Sequence, residues 1–161
     1  MKDEDFSCCY EAALHFLDYR PRSEAELREH LLYKRKCGAA TVKSVIVKLK
    51  KIGLVDDGVF ALSWVNDRVT FKQKSSAVIR HELLKKGIDA ETANLATANI
   101  DDDANALKAG IKKARLLSEL DFQEFSRRLA PYLGRRGYGG EVIHKVIPLL
   151  WDTVNRENTE K

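Results

Sequence analysis

Apolar residues recur along almost the whole chain at the three- and four-residue intervals of amphipathic helices. The first stripe consists of Phe6, Tyr10, Ala13, Leu14 and Leu17. It ends before Arg20 and Pro21, because a residue that precedes proline is disfavoured in the helical conformation. No stretch alternates apolar and polar residues between hairpin turns, as a strand would. The pattern predicts an all-α protein.

Polar residues mark where the later helices begin. Ser23-x-x-Glu26 and Asp121-x-x-Glu124 have the spacing of capping boxes, in which the first side chain accepts an amide hydrogen of the first turn. Further caps are predicted at Asp56-Asp57, Ser75-Ser76, Asp89 and Asp101-Asp102. A carboxylate at these positions also suits the positive end of the helix dipole.

Glycines and prolines indicate where helices end or are disturbed. The predicted helix ends are Gly38, Gly53, Gly87 and Gly137. Glycine suits these positions because it readily adopts the left-handed conformation that closes a helix. Pro131 and Pro148 lie inside predicted helices, where proline removes one N–H and crowds the carbonyl four residues back. We expect the two helices that contain them to kink or to begin late.

Two phrases of this pattern are repeated in the same order. Ile79-x3-Leu83-x2-Lys86-Gly87 returns after fifty residues as Leu129-x3-Leu133-x2-Arg136-Gly137, with an earlier version at Leu27-x3-Leu31-x2-Lys34. Val55-Asp56-Asp57-x3-Ala61 returns as Ile100-Asp101-Asp102-x3-Ala106. Self-similarity at a period near fifty residues is typical of an array of one small unit.

The repeats predict three tandem three-helix units at residues 7–54, 55–99 and 100–156, with flexible ends at 1–6 and 157–161. Units this small bury little surface alone, so we expect neighbours to pack into an elongated, gently curved array. The repeated leucines are expected in the core. Trp64 is also expected in the core, and Tyr138 is expected to pack back on its helix end.

Composition excludes several classes of protein. No run approaches the length of apolar residues that crosses a membrane, and the acidic N-terminus does not resemble a secretory signal. Three cysteines without a Cys-x-x-Cys motif suit a reducing compartment, so a cytoplasmic location is expected. The net charge of +4 is modest, so any attraction to nucleic acid must come from the arrangement of charges.

No catalytic, cofactor or metal site is predicted. The four histidines are scattered, and none lies beside a serine or cysteine in a nucleophile motif. Neither glycine-rich phosphate-binding motif is present. The aspartate clusters at Asp56 and Asp101 could hold a divalent cation, but their repeated position at helix starts favours capping.

Basic residues follow the same period as the leucines. The candidate binding residues at the ends of the second helices are Lys34, Arg35, Lys85, Lys86, Arg135 and Arg136. Further candidates are a dense patch of the middle unit, Arg68, Lys72, Lys74 and Arg80, and the pair Arg127 and Arg128 of the last unit. One interpretation is that cations at the ends of the second helices complement the negative end of the helix dipole. The other is that stacked units align these ends into a basic ridge that binds a polyanion or an acidic protein groove.

These phrases resemble those of the RecX family. The marks that carry the resemblance are Gly53-Leu54-Val55-Asp56-Asp57, Phe60-Ala61, Leu83-x2-Lys86-Gly87 and Arg136-Gly137-Tyr138. The likeness covers nearly the whole chain, from Ser7 to Val154. Together the marks are fairly specific, although each one alone is weak.

The resemblance implies a non-enzymatic regulator of homologous recombination, DNA repair and the SOS response. Such a protein is expected to lie along the groove of the RecA–DNA filament, to block homologous pairing and to suppress ATP hydrolysis. Contact with successive RecA protomers would raise avidity without one strong site. The resemblance also implies weak binding to the DNA backbone without sequence specificity, no cofactor, and a monomer as the default state.

Two other functional classes are considered. Residues 23–55 are compatible with a winged-helix transcription regulator, in which Thr41 to Leu49 would be the recognition helix. A wing requires a hairpin after Val55, whereas the residues that follow keep helical spacing. An enzyme is the weakest alternative, because no polar residues converge on a recognisable reaction centre.

Overall fold

The computed structural model describes the backbone of residues 2–159 and the side chains of residues 4–157 and 159. The helices are α1 Lys2–Asp18, α2 Glu24–Glu29, α3 Ala39–Lys51, α4 Asp57–Asp67, α5 Ser76–Lys85, α6 Ala90–Thr97, α7 Asp102–Arg115, α8 Phe122–Gly134 and α9 Gly140–Thr159. Two five-residue π turns, His30–Lys34 and Arg68–Lys72, continue α2 and α4. The described residues contain no strand, so the all-α prediction is confirmed.

The helices form two compact units. Unit 1 comprises Met1–Trp64 and Glu82–Ala96, and unit 2 comprises Val65–His81 and Thr97–Lys161. The middle three-helix set therefore contributes to both units, whereas the predicted boundaries at 54 and 99 follow the sequence repeat. Of the predicted flexible ends, residues 2–6 begin α1 and residues 157–159 end α9. Residues 1, 160 and 161 lie outside the described residues.

The repeated apolar phrase forms the core of both units. Its members Leu27, Leu31, Ile79, Leu83, Leu129 and Leu133 are all fully buried. In unit 1 the first two pack with residues of α1 and α3 such as Ala13, Val45 and Leu49. In unit 2 the last two pack with Phe125, Val146 and Leu150. Truncation of a buried leucine to alanine typically costs about 2–5 kcal/mol, so these positions determine stability.

Three of the four predicted glycine helix ends are confirmed. Gly53, Gly87 and Gly137 have φ of +76°, +78° and +92°. After Gly87, the N–H of Ile88 donates to the Leu83 carbonyl five residues back, and the N–H of Tyr138 donates likewise to Leu133. These bonds are the closing contacts of a Schellman motif, in which a left-handed residue turns the chain out of the helix.

The prediction for Gly38 is wrong. Gly38 has φ −63° and ψ 142° and immediately precedes α3, so it begins a helix. The left-handed residue of this turn is Lys36, with φ +56°. The reason is the π turn, which adds one residue before the reversal. As a result, the N–H of Cys37 donates to the Leu31 carbonyl six residues back instead of five.

The two internal prolines do not delay their helices. Pro131 lies inside α8, which begins at Phe122, and Pro148 lies inside α9, which begins at Gly140. The Pro131 carbonyl still accepts the N–H of Arg135 at 3.0 Å. A late start is not observed for either helix, because each begins eight or more residues before its proline, and the alternative, a kink at the proline, stays a prediction.

Candidate interaction surfaces

The start of α2 is tied to the end of α5 within unit 1. The Ser23 hydroxyl accepts the N–H of Glu26 at 3.1 Å, and the Ser23 N–H donates to the Glu26 carboxylate at 3.3 Å, which confirms the predicted capping box. The same hydroxyl donates to the Lys86 carbonyl at 2.6 Å. One side chain thus satisfies an unpaired amide of α2 and an unpaired carbonyl at the end of α5.

A partly buried carboxylate, that of Glu26, completes this contact, which we call junction 1 (residues 20–26, 57 and 86–87). Arg20 and Lys86 each reach Glu26 Oε1 at 2.7 Å. Burial acts to raise the pKa of Glu26, but hydrogen bonds from Arg20, Lys86 and the Ser23 amide outweigh it and lower the pKa to about 2. The Lys86 ammonium also lies 5.2 Å from the centroid of the Trp64 ring.

The predicted aspartate caps are confirmed for the first residue of each pair. The N–H of Val59 donates to Asp56 at 3.0 Å, and the N–H of Ala104 donates to Asp101 at 3.0 Å. The second aspartate has a different role that the sequence pattern did not reveal. Asp57 accepts the N–H of Glu24 at 2.8 Å and therefore caps α2 instead of its own helix.

Unit 2 contains an equivalent contact, junction 2 (residues 73–78, 102, 105 and 136–138). Ser75 caps α5 by accepting the N–H of Val78 at 3.3 Å, and its own N–H donates to the Arg136 carbonyl at 3.1 Å. Asp102 accepts the N–H of Ser76 at 2.8 Å and the Ser76 hydroxyl at 2.6 Å. The second aspartate of this pair thus repeats the role of Asp57 in unit 1.

The two cations of each predicted basic pair at a helix end have different surroundings. Lys86 is half-buried and ion-paired with Glu26, and Arg136 lies 4.0 Å from the centroid of the Tyr132 ring. The Arg136 Nε is buried and has no hydrogen-bond partner among the described residues. Lys85 and Arg135 are exposed instead. One cation of each pair packs at a junction, and the other faces solvent.

The remaining candidate residues fall into similar groups. Lys34, Arg35 and Lys72 are exposed. Arg127 and Arg128 are exposed and share the Glu124 carboxylate, each at 2.7 Å. The other three, Arg68, Lys74 and Arg80, are partly buried, and Arg68 pairs with Asp67 at 2.8 Å. Asp121 is the cap of α8, since it accepts the N–H of Glu124 at 3.0 Å.

Two exposed aromatic residues were missed by the sequence reasoning. Tyr33 and Phe71 are each the fourth residue of a π turn and each precede a lysine, and they are 73% and 71% exposed. Of the other two aromatics, Tyr138 is buried as predicted, whereas Trp64 is only partly buried and lies outside the core, so the prediction for Trp64 is wrong. Trp64 packs on Phe60 with ring centroids 5.7 Å apart, and Tyr138 is buried. The signal available in the sequence was the aromatic–lysine pair at the end of an apolar stripe.

Within residues 2–159, no helix is long and apolar enough to cross a membrane. The described side chains also include no group of three or more His, Cys, Asp or Glu residues placed to hold a metal ion. Val55 leads directly into α4, so the hairpin that a winged-helix protein needs is not formed there. The fold and these surfaces define a tandem three-helix protein with cationic helix ends.

Comparison with known proteins identifies the family. Models of the first, second and third three-helix domains of RecX match residues 9–49, 56–96 and 101–147. The chain is 31% identical to the regulatory protein RecX of Amycolatopsis mediterranei, over 90% of this chain and 84% of that protein. It is 33% identical to the regulatory protein RecX of Mycobacteroides abscessus, over 83% of this chain and 67% of the relative. The chain belongs to the RecX family of regulatory proteins.

Solved structures agree with this assignment. The crystal structure of RecX from Lactobacillus salivarius superposes with a TM-score of 0.82 at 25% identity, over 92% of this chain and 97% of that one. A second crystal structure of a regulatory protein RecX gives a TM-score of 0.75 at 21% identity. The second likeness concerns the fold alone. The prediction of three consecutive three-helix domains is confirmed.

Proposed function

We propose that this protein regulates homologous recombination and DNA repair by binding in the groove of the RecA–DNA filament. There it inhibits ATP hydrolysis and strand exchange by RecA, and it has no enzymatic activity of its own. The observation that carries the proposal is the match of all three RecX three-helix domains over residues 9–147. The protein acts as a cytoplasmic monomer, and its DNA contact is weak and independent of sequence.

The exposed cations are the proposed contact residues. In unit 1 these are Lys34, Arg35 and Lys85, and in unit 2 they are Lys72, Arg127, Arg128 and Arg135. Phosphate groups attract such side chains at long range and at many positions, which suits a weak contact without sequence specificity. Lys86 and Arg136 are assigned to the junctions instead, because their side chains are partly buried there.

The proposal is tested by adding the protein to RecA assembled on single-stranded DNA. The rates of ATP hydrolysis and of strand exchange should both fall, and they should do so below one protein per RecA protomer because the protein acts on a filament. Unchanged rates at saturating protein would show that the chain does not regulate RecA.

Charge reversal separates contact residues from junction residues. Lys85→Glu with Arg135→Glu should weaken inhibition and DNA binding while the thermal midpoint is retained, because both side chains face solvent. Each lost phosphate contact should also reduce the salt dependence of DNA binding by about one unit of slope. Lys86→Glu is the matched control, since it places a second negative charge beside Glu26 and should lower stability first. Full inhibition by the Lys85–Arg135 double variant would contradict the contact assignment.

A further inference from the structure

The end of α4 is held in an unusual backbone conformation. The helix passes into the π turn Arg68–Lys72, and the Arg68 carbonyl accepts the N–H of Gln73 and, at 3.4 Å, that of Lys74. Gln73 follows with φ +47° and ψ 48°, a left-handed conformation that is costly for a residue with a Cβ. Such strain persists only where the surroundings enforce it, and it is concentrated at functional sites.

Two buried side chains of unit 2 enforce this conformation. The Tyr138 hydroxyl donates to the Gln73 carbonyl at 2.7 Å, and Asn105 Nδ2 donates to the Lys74 carbonyl at 2.8 Å. Tyr138 and Asn105 are only 4% and 3% exposed. Burial raises the pKa of Tyr138 above its usual range, so the hydroxyl keeps the proton that it donates. Two buried side chains therefore fix the backbone of the turn through hydrogen bonds.

This turn holds one large apolar side chain in water. Phe71 is 71% exposed and is not part of the apolar core of unit 2. It lies directly before the exposed Lys72, and Lys74 follows on the same turn. Asp67 is the nearest acidic residue along the chain, and Arg68 neutralises it at 2.8 Å. An aromatic ring among cations is thus presented on a fixed backbone.

We infer that Phe71 is a stacking platform for an unpaired nucleic-acid base, whose flanking phosphate is contacted by the exposed Lys72. Proteins that bind single strands without sequence preference combine cations that follow the backbone with aromatic rings on which bases stack. Bases in a duplex are already stacked on each other, so this contact favours single strands. The inference rests on the DNA contact of the proposed function and adds a preference for single-stranded over double-stranded DNA.

The other π turn shows what distinguishes Phe71. Tyr33 has the same place in its turn and the same exposure, and Lys34 follows it. However, Tyr33 lines a cleft of about 550 Å³ in unit 1 whose wall includes the carboxylates of Glu29, Asp57 and Asp89. The carboxylates outnumber the two cations of that wall, Arg28 and Lys50, so a strand attracted by Lys34 and Arg35 is not drawn into the cleft beside Tyr33. We therefore do not assign a base to Tyr33, and Tyr33→Ala becomes a matched control.

The test uses the full chain and fluorescence anisotropy with a labelled oligothymidylate, a duplex of the same length and an abasic strand of the same length. Phe71→Ala should weaken binding to the oligothymidylate about tenfold, because the stack of one base on the ring is lost. Binding to the duplex and to the abasic strand should change less than twofold. Phe71→Trp should retain the affinity, and base stacking should quench its added fluorescence when measured against the wild type.

Three results would overturn the inference. Unchanged binding of Phe71→Ala to the oligothymidylate would show that no base stacks there, and an equal loss on strand and duplex would show only an altered phosphate contact. An equal loss from Tyr33→Ala would show that the carboxylates beside Tyr33 do not exclude a strand and that the contact is not specific to Phe71. RecA is absent from these measurements, so the regulatory proposal is tested separately. If Phe71→Ala loses RecA inhibition but keeps its DNA affinity, Phe71 contacts protein and the inference is wrong.

Discussion

Junctions 1 and 2 have the same backbone plan but are stabilised by different chemistry. In both, a serine at the start of one helix donates a hydrogen bond to the carbonyl that follows another: Ser23 of α2 to the end of α5, and Ser75 of α5 to the end of α8. In both, an aspartate from a third helix also caps the helix that the serine begins. Junction 1 adds the ion pairs of Glu26 with Arg20 and Lys86. Junction 2 adds neutral hydrogen bonds from Tyr138 and Asn105 to backbone carbonyls.

The difference shows that a repeat can preserve a contact while replacing its source of stability. Ion pairs depend on protonation and on salt, whereas buried hydrogen bonds between neutral groups do not. Junction 1 is therefore the part of the molecule that acid should weaken first. Junction 2 depends on close packing, so we expect a substitution that adds volume to weaken it.

The largest expected effect is the loss of close packing at junction 2. Gly137→Ala would place a Cβ 2.1 Å from Val78 Cγ2 at a φ of +92°. Left-handed strain and overpacking together should lower the free energy of unfolding by about 3 kcal/mol, measured by urea denaturation. Gly87→Ala at junction 1 should cost a similar amount, because its Cβ would lie 2.3 Å from the Ala25 Cβ.

Gly53→Ala is the control that separates strain from contact. Gly53 has φ +76°, but no atom lies within 4 Å of the position that a Cβ would occupy. This variant should lose only the conformational part, about 1 kcal/mol. If Gly53→Ala and Gly137→Ala were equally destabilised, close packing at junction 2 would not be the cause.

The second-largest expected effect tests the ion pairs of junction 1. Glu26→Gln should lower the free energy of unfolding at neutral pH by about 2 kcal/mol, because it leaves Arg20 and Lys86 without their anion. The lowered pKa means that this stability is present above the ordinary value of 4.5 and is lost as pH falls toward about 2. The gap between wild type and variant should therefore close over that interval, as urea denaturation at successive pH values would show.

Glu29→Gln provides the same charge change on the same helix. Glu29 is exposed and has no ion-pair partner among the described side chains, so its variant should unfold like the wild type at every pH. A gap for Glu26→Gln that stays constant from neutral to acidic pH would mean that packing, not charge, supports junction 1.

The smallest effect compares the two capping aspartates. Burial raises the pKa of Asp57, and the hydrogen bond from the Glu24 amide opposes this rise only in part. The negative charge of Asp57 therefore adds little to stability, and Asp57→Asn should change the free energy of unfolding by less than about 0.5 kcal/mol. Asp102 accepts two hydrogen bonds from Ser76, and Asp102→Asn should cost about 1 kcal/mol. Thermal unfolding of both variants measures which one loses more stability. A larger loss for Asp57→Asn than for Asp102→Asn would contradict the prediction.

Local signals predicted most of the fold because they act over a few residues. The Ser23 capping box, the Asp101 cap and the left-handed glycines at 87 and 137 were visible as spacing and were confirmed. Gly38 was assigned wrongly because a π turn moves the reversal by one residue. Nothing in the composition of His30–Lys34 distinguishes it from an α-helix, since its extra residue is accommodated by backbone hydrogen bonds.

The candidate surfaces were less predictable because their key contacts are distant in sequence. Lys85 and Lys86 are adjacent and chemically identical, yet only Lys86 reaches Glu26. That difference depends on which face of the helix packs against another helix. Two adjacent lysines in the sequence do not show which of them lies on that face. The aromatic–lysine pair marks Phe71 in the sequence but does not show that the ring is exposed, because an aromatic residue at helical spacing is usually buried.

The hydrogen bond between Ser23 and the Lys86 carbonyl has a consequence for biosynthesis. Its two residues are 63 positions apart, and a nascent chain emerges from the ribosome N-terminus first. Until residues 82–96 leave the ribosome, we expect Glu26 to have its local partners, Arg20 and the Ser23 amide, but to lack Lys86. Unit 1 is therefore completed only late in translation, and a message truncated within α5 would yield a product that is open to proteolysis at α2.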